Sequence, residues 1–115
     1  MPYQAPVRDH AFLLRDVLEI ENYANLPGFS EAPWETVEQI LDEAGKFTSE
    51  VLAPLNSVGD KEGCKWSPDF TVKTPTGFKE AYKAMVENGW LGLSSDPKYG
   101  GQGLSQTGYC PVSDV

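Results

Sequence analysis

Between Val37 and Leu52 apolar residues recur at steps of three and four: Val37, Ile40, Leu41, Ala44, Phe47, Val51 and Leu52. Glu35, Glu38, Asp42, Glu43, Lys46 and Glu50 fill much of the remainder. A strand turns its side chains over at every second residue, so this run buries a single face only as a helix. Ser30 stands where an N-cap belongs, with Glu31 and Glu35 near the positive end of the helix dipole. Pro33 falls in the first turn, where its missing N–H does least harm. The spacing predicts a helix of about five turns that ends near Pro54 or Asn56. Gly45 costs that helix about 1 kcal/mol relative to alanine and marks a place where another helix comes close.

Two further helices flank it. Residues 8–25 read as the first, with Asp9 as N-cap and Leu13, Leu14, Val17, Leu18 and Ile20 at helical spacing. The pair Pro27-Gly28 then interrupts the chain. From Ser57 to Thr74 the glycines and Pro68 break any helical period, and Lys65-Trp66 and Phe70-Thr71-Val72 look extended. Trp66 and Phe70 are expected to fold back onto the helices as a cover. Thr74-Pro75 predicts the start of a third helix, threonine capping and proline at its first position. Its stripe is Phe78, Ala81, Tyr82, Met85 and Val86, and Gly89 closes it. The expected fold is all-α, about three amphipathic helices, with no internal repeat.

A formal charge of −8, from 9 Lys+Arg against 17 Asp+Glu, supplies no basic patch for a nucleic acid. No apolar run approaches the roughly 20 residues of a membrane span. The amino terminus lacks the basic and apolar regions of a secretory signal, so a cytoplasmic location is expected. Cys64 and Cys110 are the only cysteines and read as reduced thiols.

Catalytic constellations fail one by one. His10, the single histidine, is tied to no nucleophile and reads as a surface residue at a helix start. One histidine and two distant cysteines do not make a zinc site. Counting from Asp60, an EF-hand loop needs glycine at position six and glutamate at twelve, where Lys65 and Thr71 stand. Asp42-Glu43 and Glu19-Glu21 read as solvated charge rather than a tuned acid–base pair. No residue is assigned as catalytic, cofactor-binding or metal-binding.

The run Gly89-Trp90-Leu91-Gly92-Leu93-Ser94-Ser95-Asp96-Pro97-Lys98-Tyr99-Gly100-Gly101-Gln102-Gly103-Leu104 is the remaining candidate. It is no dinucleotide loop, because Gln106 stands where the third glycine is needed and no strand precedes it. Taken alone it is a tight turn that uses glycine's backbone freedom, the alternative being backbone amides that meet a ligand. Together with Tyr3–Leu14, Phe47–Asn56, Asp60–Cys64 and Thr74–Tyr82, in that order, the run resembles the start of the larger acyl-CoA dehydrogenases that carry an extra amino-terminal segment. The resemblance covers residues 3–106. It implies an amino-terminal helical domain followed by a β-domain and a second helical domain. It further implies FAD, an acyl-CoA substrate oxidised between its α and β carbons, and electron transfer to an electron-transfer flavoprotein.

By that resemblance Tyr99, Gly100, Gly101, Gln102, Gly103 and Leu104 form a loop near the substrate pocket, chiefly turning the chain into the next helix. The flavin-holding domain and the glutamate base of the family have no counterpart here, so no FAD is expected on this chain alone. Residues 1–106 are expected to be an incomplete, truncated family domain, and 107–115 an irregular tail outside the family pattern, inactive alone. The rival expectation is a non-catalytic helical interaction module that self-associates.

Overall fold

In the computed structural model, which describes residues 2–115, the first helix is shorter than expected. Helix α1, Val7–Phe12, widens into a π turn over Leu13–Val17, where the Leu18 N–H reaches the Leu13 carbonyl at 2.8 Å. Glu19 then takes a left-handed conformation (φ 48°), which ends the helix before a 3-10 turn at Ile20–Tyr23. Pro6, not Asp9, precedes the first turn. The extra residue of the π turn shifts the helical phase. Of the expected stripe only Leu14 and Ile20 are buried, while Leu13, Val17 and Leu18 stay exposed.

The strong stripe forms helix α2, Trp34–Phe47. Val37, Leu41 and Ala44 are buried along it, Leu41 completely, and the acidic residues between them face outward. It begins later than Ser30 implies. Residues 24–32 are turns, and Pro33, in an extended conformation, leads directly into Trp34. Nor does the chain stop near Pro54. A second π turn, Thr48–Leu52, lets the Ala53 N–H reach the Thr48 carbonyl, and helix α3 runs from Ala53 to Glu62. The wider turn clears the carbonyl that the Pro54 ring would strike, so the proline sits in the first turn of α3.

A two-stranded hairpin follows, β1 (Lys65–Trp66) antiparallel to β2 (Val72–Lys73), with Lys65 opposite Lys73 and Trp66 opposite Val72. The extended reading holds for Lys65-Trp66 and for Val72 but not for Phe70, and the expected cover does not form. Trp66 and Phe70 are 63% and 85% exposed and meet each other edge to face at 6.4 Å. Phe70 sits in a left-handed turn (φ 66°) at the tip of the hairpin. Helix α4, Phe78–Glu87, starts three residues after Pro75. Gly77 precedes it, and Thr74 makes no capping bond. Gly89, left-handed as expected, closes it.

Beyond Gln106 the expected irregular tail is instead a helix, α5, Gln106–Asp114. Ser105 caps it by accepting the Gly108 N–H at 3.1 Å. Gly108 and Pro111, weak helix formers, are buried there, and α5 packs against α2. Packing overrides propensity in this segment. The core joins Leu14, Ile20, Trp34, Val37 and Leu41, with Val7, Ala11, Phe29 and Val112 packed around them. Gly45 marks the close approach that its sequence position implies: a β-carbon there would lie 2.6 Å from Val7 Cγ2.

Candidate functional site

The glycine run folds back onto itself. Asp96 accepts the Lys98 N–H at 2.8 Å through its side chain, opening a 3-10 turn over Pro97–Tyr99. Gly101 then donates to the Asp96 carbonyl at 3.2 Å, Gln102 to Gly92 at 2.9 Å, Gly103 to Ser95 at 3.0 Å and Leu104 to Leu93 at 2.8 Å. The Tyr99 and Gly100 amides bond to Asp96 and Pro97. All six amides from Tyr99 to Leu104 are therefore spent on the chain's own carbonyls. The alternative in which free amides meet a ligand is closed by that count.

Glycine at 101 is a matter of space. A β-carbon there would lie 2.0 Å from the Ser95 carbonyl oxygen, far inside contact distance. The close approach swings Gln102, Gly103 and Leu104 against α2, where they wall a cleft of about 420 Å³ with Ile40, Trp90 and Leu93. The six candidate residues thus divide. Gln102, Gly103 and Leu104 line the cleft. Tyr99, 79% exposed under the Lys98 ammonium, points elsewhere, and Gly100 and Gly101 do not reach the cleft. Sequence reasoning had no means of seeing that Ile40 and Trp90 complete the wall, because their meeting depends on the loop's fold rather than on spacing.

Charge at the cleft is negative. Glu31 and Glu43 flank it, and no lysine or arginine lines it. The Ser30 hydroxyl and the Gly28 N–H, 2.9 Å away, hold the Glu31 carboxyl below the usual range. Glu43 is paired with Lys46 at 3.0 Å. These residues do not fit FAD or the nucleotide end of coenzyme A, whose phosphates require cations or free amides. The apolar wall of Ile40, Trp90, Leu93 and Leu104 suits a hydrocarbon chain instead.

The other candidates are structural. His10 is largely buried rather than on the surface, with Nε2 3.0 Å from Asp114 Oδ2, where α1 meets α5. That contact is close but lacks the angle of a hydrogen bond. Cys64 and Cys110 are free and exposed. No group of three metal-ligating side chains forms among the described residues. No helix among them is long and apolar enough to cross a membrane.

A glycine-pinned loop thus closes a helical layer over a cleft with one apolar side, and the sequence comparisons give the family. The family described as "Acyl-CoA dehydrogenase, N-terminal domain" matches residues 35–114, α5 included. This chain belongs to the acyl-CoA dehydrogenase family. It is similar to 3-methylmercaptopropionyl-CoA dehydrogenase of Ruegeria pomeroyi, 38% identical over 104 residues, which is 90% of this chain and 18% of that protein. It is also similar to the broad-specificity linear acyl-CoA dehydrogenase FadE5 of Mycobacterium tuberculosis, 29% identical over 100 residues, 86% of this chain and 16% of that one. The chain thus spans less than a fifth of either relative's length.

Proposed function

We propose that these residues serve as the amino-terminal helical domain of an FAD-dependent acyl-CoA dehydrogenase. They wall the hydrocarbon end of an acyl-CoA thioester that the complete enzyme oxidises between its α and β carbons. The observation that supports this is the cleft that the loop lines with α2, where Leu104 joins Ile40, Trp90 and Leu93 on an apolar side and no lysine or arginine is present. The chain's own residues hold and exclude. Leu93 and Leu104 keep water from the wall, and the pinned loop fixes their position. The flavin and the proton-abstracting base belong to other parts of the enzyme, so these 115 residues are inactive alone. An acyl-CoA and an electron-transfer flavoprotein are the partners of that reading, and the cytoplasm is its location.

Replacing the matching segment of the Ruegeria pomeroyi relative with this chain tests it. The chimera is expected to retain bound flavin and to reduce an electron-acceptor dye with acyl-CoA. A chimera that folds and binds flavin yet turns over no acyl-CoA, whatever its chain length, sinks the reading. The 115-residue chain itself is expected to be colourless after desalting, and a persisting flavin absorbance band would contradict its inactivity.

A second reading, a helical interaction module that associates with itself, is favoured by the exposure of Phe12, Val17, Tyr82 and Leu91, each about half or more open to solvent.

A further inference from the structure

The cleft loop is held on two sides. Ser95 closes against it at Gly101. On the other side stands the Pro27-Gly28 turn. A β-carbon at Gly28 would lie 3.2 Å from the Ser105 nitrogen and 3.3 Å from the Gly103 carbonyl oxygen. Both are backbone atoms, so two stretches of main chain touch with no side chain between them. Gly28 also sits at φ +85°, a conformation open to glycine and costly to other residues.

This contact is a partition. Gly28, Ala32 and Leu104 line both the cleft and a smaller hollow of about 150 Å³ over Ile20, Trp34 and Val37. With the turn lifted from the loop, the two hollows would join and Leu104 would lose its support from behind. The position of the turn therefore bears on the position of the wall.

One side chain fixes the turn. The Leu26 carbonyl accepts the Phe29 and Ser30 amides at 3.1 and 3.0 Å, which leaves the Gly28 amide to Glu31. Glu31 Oε2 accepts it at 2.9 Å, the returning half of a capping box, in which an acidic residue reaches back three positions. The Ser30 hydroxyl and this amide together favour the ionised carboxyl, and an ionised acceptor makes the stronger bond. Nothing draws Glu31 away. No lysine or arginine lines the cleft, and Glu43, the other carboxylate there, is engaged by Lys46.

We propose that Glu31 is a positioning residue of the cleft: by holding the Gly28 amide it keeps the turn against the backbone of Gly103–Ser105 and so sets Leu104 on the apolar wall. The proposal rests on the reading of that wall as the acyl site and names what holds it in place. All parts of the device lie between Gly28 and Ser105.

Amide exchange of the 115-residue chain tests it at Gly103 and Leu104, whose N–H groups bond to the Ser95 and Leu93 carbonyls. Glu31→Ala is expected to lower protection at these two amides by about threefold to tenfold, the worth of one such bond. Glu31→Gln should keep most of the protection, because its carboxamide oxygen can still accept the Gly28 N–H. Gly28→Ala, which forces the turn and the loop apart, should lose at least as much as Glu31→Ala. Leu41 and Ala44 of α2 are the internal reference and should keep their protection in every variant. Unchanged protection in Glu31→Ala or in Gly28→Ala overturns the proposal. So does an equal loss in Glu31→Gln and Glu31→Ala, or a loss that extends to Leu41 and Ala44. Exchange at the loop is independent of turnover by the chimera, so this proposal and the acyl-wall reading fail separately.

Discussion

Glu62, the last residue of α3, reaches the turn before α4 and holds Thr76 by two bonds to one carboxylate oxygen. The Thr76 N–H lies 2.8 Å from it and the Thr76 hydroxyl 3.0 Å. These two donors, with Lys65 and Lys73 nearby, keep the Glu62 carboxyl below the ordinary glutamate range. The pair clamps the two ends of the hairpin segment and thereby sets the position of α4.

The clamp has a predictable pH dependence. Because the folded pKa lies below the unfolded one, its contribution is complete above about pH 4.3, the unfolded value, and is lost as the pH falls through the folded one. The urea midpoint should therefore fall on acidification, and Glu62→Gln should flatten part of that fall. Carboxyl-carbon NMR titration provides the check. A Glu62 midpoint at or above the ordinary value would remove the clamp.

Two threonine and serine positions separate expected from actual caps. Ser105 accepts an amide hydrogen bond at the start of α5, whereas Thr74 caps nothing. Ser105→Ala should cost about 1 kcal/mol, and Thr74→Ala should stay within about 0.5 kcal/mol of wild type. Denaturant midpoints decide. Equal losses at both sites would contradict the assignment of caps.

The contrast shows what a sequence can carry. The α2 stripe was legible because Val37, Leu41 and Ala44 repeat over a long amphipathic run, and the same periodicity recovered α4 with its glycine stop, although of the expected α4 stripe only Ala81 is buried while Tyr82 and Val86 stay exposed. Helix α5 was not, since Gly108 and Pro111 argue against helix locally and are helical only because they pack against α2. The π turns hide for a similar reason: one inserted residue in a turn leaves no compositional trace, yet it exposes Val17 and carries the chain through Pro54. At the site, the glycines located the loop. That its amides are all spent, and that only Gln102, Gly103 and Leu104 reach the cleft, depends on bonds across the run to Gly92, Leu93 and Ser95.

Leu41 and Phe47 test the depth of the core. Leu41 has no exposed surface, while Phe47 is half-buried and leans on Trp90 with ring centres 6.1 Å apart. Leu41→Ala should cost roughly 2–5 kcal/mol. Phe47→Ala should cost less despite the larger side chain, because part of it already faces solvent. The reverse order in chemical denaturation would place the core nearer to α5 than to α1.

Gly101 and Gly100 are adjacent glycines with different reasons to be glycine. At 101 a β-carbon would meet the Ser95 carbonyl oxygen at 2.0 Å and its carbon at 2.3 Å, backbone atoms that cannot swing aside. At 100 there is open space, but φ is +89°. Gly100→Ala should therefore cost only backbone strain, about 1–2 kcal/mol, and leave the loop closed. Gly101→Ala must push the strands of the loop apart, which costs about 1–3 kcal/mol or more in overpacking and breaks the bonds from Gln102, Gly103 and Leu104 to Gly92, Ser95 and Leu93. Amide exchange separates the two: protection at residues 102–104 should vanish in Gly101→Ala and persist in Gly100→Ala. Persistence in both would mean that the loop is not pinned at Ser95, and the cleft would then lose its fixed wall.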